Sequence, residues 1–150
     1  MNPCTHPKVT RGHLELEVLE TTALDELDSV AKVIRECAAM GVGFALDDFG
    51  TGYSSLTYLR RLPAQVLKVD PSFVRDMLDD SENRAIVEGV LGLARAFSRR
   101  AIAEGAETPS HCKLLLQINC DLAQGYDIAR PMPADQMPAW VAAWQAGSPI

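Results

Sequence analysis

Short β-type runs alternate with helix-period segments along almost the whole chain, and this alternation confines it to few folds. LELEV (14–18), GFALDD (43–48), VLKVD (66–70), RRAIAEG (99–105) and DLAQGYDI (121–128) read as strands. Between the first two, ALDELDSVAKVIRECAAMG (23–41) sets Leu27, Val30, Ile34 and Cys37 on one helical stripe and stops at Gly41. A short helix with Leu56, Leu59 and Leu62 stops at Pro63, and Pro71 can open the next one at its first position. Ser81 is the expected N-cap of a long helix through Phe97, with Ile86, Val90, Leu93 and Phe97 as its buried face. Thr108–Pro109 has the form of a further helix start, running to Ile118, and a last helix over 135–146 carries Met137, Val141 and Trp144 on one side. Five strands alternating with helices predict βα units and a parallel sheet.

That rhythm alone suits either an open doubly wound sheet or part of a barrel. The polar residues favour the barrel. Glu17 and Glu20, Asp47 and Asp48, Lys68, Glu104 and Glu107, and Gln124 fall at the C-terminal ends of successive strands. This is the rim on which β/α barrels assemble their active sites from several strands. One such residue would be an ordinary exposed charge, but a set of them in register at successive strand ends is not ordinary.

Glu17, Asp47, Asp48 and Glu104 are expected to converge there, and like charges that close raise one another's pKa or recruit a cation. Oxygen ligands without thiolate or imidazole neighbours select magnesium, manganese or calcium over zinc. Adjacent aspartates at a strand end can flank two ions once the second has left the strand's alternation. Two ions about 3.5–4 Å apart are a standard device for in-line phosphodiester displacement. Lys68, one strand further round, supplies a point charge for a phosphate oxygen or the attacking water. FGTGYSS (49–55) reads as a mobile loop beside the metals, which Glu20 could anchor. In QGYDIARPMP (124–133), Gln124, Tyr126 and the prolines suggest a rigid edge where a planar base could stack.

Composition narrows the partners. Twenty acidic against fourteen basic residues give a net charge of −6, which argues against polymeric nucleic acid as ligand. A small anion remains compatible if metal supplies positive charge. The four cysteines, Cys4, Cys37, Cys112 and Cys120, form no C-x-x-C pair. His111–Cys112 with Cys120 fits no common zinc spacing, so reduced thiols are expected. MNPCTHPKVTRGH lacks an apolar signal region, and CAAMGVGFAL is too short to span a bilayer. A soluble, cytoplasmic chain is expected.

LELEVLET, FALDDFGTGYSSL, VLKVD, AIAEGAET and DLAQGYDIARPMPA, in this order, resemble the EAL-domain family of cyclic-di-GMP phosphodiesterases. The resemblance covers residues 10–145 and implies a TIM-like (β/α) barrel that hydrolyses cyclic di-GMP to pGpG with Mg2+ or Mn2+, Ca2+ being inhibitory. It implies Glu17 and Asp47 as ligands of a first metal and Asp48 as a ligand of the second. Glu104 would lie on the second-metal or proton-transfer side, and Lys68 would contact the nucleophilic water or scissile phosphate. Glu20 is implied as the loop anchor, Glu107 as a supporting acid and Gln124 as a ligand or water contact.

The chain also departs from the family. A full barrel needs about 250 residues, and this sequence has 150. It contains no Glu-Ala-Leu string, and no strand-borne asparagine precedes Glu17, since Asn2 is terminal. The expectation is therefore a truncated EAL domain over 14–146, with an irregular lead-in at 1–13 and a tail at 147–150. It would lack about three strands and two first-metal ligands. Such a chain is expected to be impaired or inactive alone, and to form a homo-oligomer or swap elements through exposed sheet edges. Two alternatives stand beside the enzyme: a degenerate module that binds cyclic di-GMP or a protein without catalysis, and a structural barrel fragment.

Overall fold

β3 (Val66–Val69) is buried along its whole length, and the sheet extends outward from it on both sides. The computed structural model describes residues 12–19, 27–52 and 55–147. The order of elements is β1 (Glu15–Leu19), α1 (Leu27–Ala39), β2 (Gly43–Phe49), α2 (Ser55–Arg61), β3, α3 (Pro71–Asp76), α4 (Ser81–Ala96), β4 (Arg100–Glu104), α5 (Pro109–Gln117), β5 (Ala123–Gln124) and α6 (Met137–Gly147). The strands form one sheet in the order β1-β2-β3-β4-β5, every neighbouring pair parallel. These are five consecutive βα units with a parallel sheet, as the alternation predicts, in the arrangement of a partial barrel that the polar strand ends favour.

Strand side chains alternate between two faces. Phe44, Leu46, Leu67, Val69 and Ala103 enter the apolar core beneath the helices, where Ile34, Leu59, Leu62, Val74, Val87, Leu91 and Leu115 meet them. Burying each of the larger side chains contributes roughly 1.5–3 kcal/mol. The opposite face carries Glu17, Ala45, Asp47, Val66, Lys68 and Glu104. Its floor is apolar, because Ala45 and Val66 are fully buried. Its rim is charged.

Helix starts follow local chemistry. Asp70 caps α3 by accepting from Ser72 N at 2.8 Å, and Pro71 takes the first turn, where no N–H is missed. Thr108 caps α5 in the same Thr-Pro form that the sequence predicts. The guanidinium of Arg99 closes the far end of α2, donating to the carbonyls of Leu59 (2.6 Å), Leu62 (2.8 Å) and Ala64.

Several expectations are corrected. The N-cap of α4 is Asp80, not Ser81: its carboxylate accepts from Glu82 N and Asn83 N, more than a serine hydroxyl can offer. The buried face of α4 is Val87, Val90, Leu91 and Ala94, while Ile86 and Phe97 are exposed. Small Ala94 and β-branched Val87 let the helix lie close against the sheet, so packing selects a stripe turned by about one residue. Leu56 is exposed, while α2 buries Leu59 and Leu62 is buried in the loop that follows. β5 is two residues long rather than eight, and α6 buries no residue although it carries Met137, Val141 and Trp144. Trp144 instead stacks on Trp140 with ring centroids 5.4 Å apart. Glu20, residues 23–26 and the greater part of the 1–13 lead-in lie outside the described residues, as does the tail from 148. Among the described residues no helix is long and apolar enough to cross a membrane.

Candidate metal centre

The site is built at the C-terminal edge of β1–β4, where parallel register brings the predicted residues to one level. Glu17 pairs with Ala45 and Lys68 with Ile102, so residues at strand ends share the polar face. Between Leu46 and Phe49, β2 advances three residues while β3 advances two, from Leu67 to Val69. The extra residue is a bulge, and Asp48 holds it with φ 51, a left-handed conformation that aspartate tolerates better than most side chains. The bulge is how two consecutive aspartates can serve one site. In a regular strand Asp48 would face the helices.

Lys68 Nζ sits at the centre. It lies 2.7 Å from Glu17 Oε1, 3.0 Å from Asp47 Oδ1 and 2.9 Å from Glu104 Oε1. Three strands thus deliver carboxylates to a lysine on a fourth. The lysine side chain is 7% exposed, Asp47 16% and Glu104 14%, whereas Glu17 is 51% exposed. Asp47, Asp48 and Glu104 also bring one carboxylate oxygen each within 4.8 Å of the others. Glu17 meets the ammonium but is not in that set.

Four carboxylates against one ammonium leave a formal excess of three negative charges when all are ionised. Burial raises the pKa of Asp48, and Asp47 and Asp70 add to the rise against the pull of Lys68. Burial likewise raises Glu104, its hydrogen bond to Lys68 failing to cancel the effect, while Asp47 and Glu17 reinforce it. For Lys68 burial alone would lower the pKa. Hydrogen bonds to Glu17, Glu104 and Asp47 outweigh it, so the ammonium is held above the usual lysine range. Asp47 Oδ1 is shut off from solvent, and the partner it has among the described residues is the Lys68 ammonium at 3.0 Å. A buried carboxylate oxygen with an unused lone pair, among oxygens that repel one another, fits a hard divalent cation. The donor set contains no thiolate or imidazole, so zinc does not fit it.

Glu107 and Gln124 lie beyond Glu104, where they line a cavity of about 200 Å3 with Pro71, Arg75, Gly105, Gly125 and Tyr126. Tyr126 is exposed and carries the Arg130 guanidinium 4.4 Å above its ring. Glu107 accepts from Arg75 Nε at 2.8 Å. Arg75 and Arg130 were not legible as site residues, since nothing local in RDM or ARP marks them. Asp70 could have been found, because Asp-Pro-Ser is a helix-start signature. The doubtful zinc group is dispersed: His111 bonds Thr108 and the Arg75 carbonyl, Cys112 the Asp127 carboxylate, and Cys120 the Leu122 carbonyl.

The family model described as EAL domain matches residues 5–131. The bifunctional diguanylate cyclase/cyclic di-GMP phosphodiesterase MucR of Pseudomonas aeruginosa is 45% identical over 131 residues, which are 87% of this chain and 19% of MucR. The solved c-di-GMP complex of the PaMucR phosphodiesterase superposes with a TM-score of 0.81 at 43% identity, over 86% of this chain and 52% of that one. The manganese/cy-diGMP complex of Klebsiella pneumoniae BlrP1 gives a TM-score of 0.76 at 32% identity, over 82% of this chain and 31% of that one. The chain therefore spans about a fifth of the curated relative and about half of the solved MucR chain.

Proposed function

Because the chain belongs to the EAL-domain family, we propose that its strand-end cluster is the metal and phosphate side of a cyclic-di-GMP phosphodiesterase site. The observation that carries this reading is Lys68 held against Glu17, Asp47 and Glu104, with Asp48 turned by the bulge into the same cluster. Glu17, Asp47 and Asp48 would hold Mg2+ or Mn2+, with Glu104 at the edge of the second ion. When bound, such ions supply activation of water and charge stabilisation at the phosphate.

The protein's own groups then have separate tasks. Lys68 cannot act as a base, because its ammonium is stabilised by three carboxylates. It donates hydrogen bonds and places one fixed positive charge beside the phosphate or attacking water. Glu104 has the opposite character: burial has raised its proton affinity, which suits a proton acceptor at neutral pH. Gln124 and Tyr126 offer an amide and an exposed ring to a planar base. Glu107, tied to Arg75, supports the Glu104 turn. Glu20 retains the loop-anchor role that the resemblance implies. Cys37, Cys112 and Cys120 are unpaired, which supports a reducing, cytoplasmic setting.

Turnover by these 150 residues alone is proposed to be impaired. A second reading is a module that binds the dinucleotide without cleaving it, for which Lys68, engaged by Glu17, Asp47 and Glu104, would serve as counter-charge to the cluster. Calorimetric titration of cyclic di-GMP in Ca2+, then in Mn2+ with chromatography of product, separates them. Binding with slow formation of pGpG supports the enzyme, and binding without product supports the sensor. Neither binding nor product would leave only the structural fragment. Among the described residues β1 and β5 each pair on one side only, and β1 leaves Leu16 and Leu19 exposed. Self-association through these edges is proposed, and a monomer by light scattering at every concentration refutes it.

A further inference from the structure

Glu104 and Lys68 must be held at a fixed separation, yet they stand at the ends of different strands followed by different helices. A buried histidine connects those helices. His111, in the first turn of α5, is 6% exposed. Its Nε2 lies 3.0 Å from the main-chain carbonyl of Arg75, near the end of α3. Its Nδ1 lies 2.8 Å from Thr108 Oγ1, the cap of its own helix. A carbonyl can only accept, so Nε2 carries the proton and the threonine hydroxyl donates to Nδ1.

The same two turns meet twice more. Arg75 Nε donates to Glu107 Oε1 at 2.8 Å. Gly105, at φ +82, presses on Pro71 so closely that a Cβ there would stand 2.9 Å from the proline Cβ. On its other side the Glu104–Thr108 turn is fixed by Ala106 N donating to Gln124 O and Ala106 O accepting from Asp127 N, both at 3.2 Å. We propose that His111 is a positioning residue for the metal centre: by donating to the Arg75 carbonyl it locks the β4–α5 turn onto α3, and so sets Glu104 against Lys68. This rests on the metal-site reading above.

Two isosteres divide the histidine's contacts. In H111Q the amide reaches the Nε2 position and can still donate to the Arg75 carbonyl. In H111N the shorter amide reaches only toward Thr108. Mn2+ affinity, measured by electron paramagnetic resonance on the full chain where circular dichroism shows each variant folded, is expected to fall about tenfold in H111N. H111Q should remain within about twofold of the unsubstituted chain. Mutation of a group bonded directly to a metal ligand typically costs about 10–100-fold in metal affinity, and His111, which acts at one remove, is expected at the low end. I34V, in the core under α1, controls for loss of stability and should not change affinity. Equal affinities in H111N and H111Q, or a loss in I34V matching that in H111N, overturn the positioning role alone. No Mn2+ binding by the unsubstituted chain overturns the metal-site reading, and the positioning role with it.

Discussion

Replacing Lys68 by methionine isolates the electrostatics of the site from its shape. The side chain keeps its length and its apolar stem, and only the ammonium is removed. Three carboxylates then lose a partner at 2.7, 3.0 and 2.9 Å. Asp47 and Glu104 are largely withdrawn from water, and removing one member of such a buried pair costs about 3–5 kcal/mol, because the remaining charge is left unpaired. Glu17 is half exposed and adds at most about 1 kcal/mol. A total near 4 kcal/mol is a large share of the roughly 5–15 kcal/mol that holds a domain folded. The deficit should depend on pH. Glu104 already has a raised pKa and loses its main lowering influence in K68M. As pH falls through this raised range Glu104 protonates, the repulsion is relieved, and the two proteins converge in stability. Urea unfolding in chelator at pH 7 and at about pH 4 measures both quantities, and Mn2+ at pH 7 should recover part of the loss. A deficit below about 1 kcal/mol at neutral pH, or one unchanged in acid, refutes the account of Lys68 as the counter-charge of a desolvated cluster.

Asp48→Asn should stabilise the metal-free chain at neutral pH, since asparagine tolerates φ 51 and carries no charge against Asp47 and Asp70. Because the native pKa of Asp48 is raised, the gain should vanish as pH falls below the unfolded carboxylate range, and a gain persisting in acid would contradict it. Gly125→Ala drives a Cβ into the backbone of Ala106 and should cost about 1–3 kcal/mol or more, read as a lowered unfolding midpoint. Arg99→Ala strands three carbonyls at the end of α2 and should cost about 2–3 kcal/mol, with lysine restoring less than half because it lacks the planar fork. Burial, with the Asp127 carboxylate, pushes the Cys112 thiol up to about 11. Iodoacetamide at pH 8 should therefore alkylate half-buried Cys37 well before Cys112, as peptide mass spectrometry can follow.

The parts of the fold that were legible are those written in local chemistry. Thr108–Pro109 and Pro71 mark helix starts because a cap and a proline at the first turn answer short-range needs. The five strands announce themselves by apolar runs that end in charge. The stripe of α4 was misread because its sequence offers two: Ile86-Val90-Leu93-Phe97 is the more apolar, but close approach to the sheet selects Val87-Val90-Leu91-Ala94. β5 was read too long because DLAQGYDI has strand composition throughout. The contact of Gly125 with Ala106 and the bond from Asp127 N to Ala106 O turn the chain after Gln124. At the centre, the identities of Glu17, Asp47, Asp48, Lys68 and Glu104 were visible, and so was the need for Asp48 to leave the alternation. The pairing of Arg75 with Glu107 and the bridge made by His111 were not, since each joins residues more than thirty positions apart.

The bulge in β2 also bears on how such a site can be lost. Its extra residue adopts φ 51, where glycine and asparagine fit at least as well as aspartate. A one-codon change at Asp48 would therefore remove a carboxylate from the cluster while easing both the backbone and the crowding of charge. Selection for folding would not resist that change, and only selection for chemistry would. Loss of this carboxylate is thus energetically downhill in this architecture. A chain that still carries the aspartate at this position carries it against the preference of its own fold.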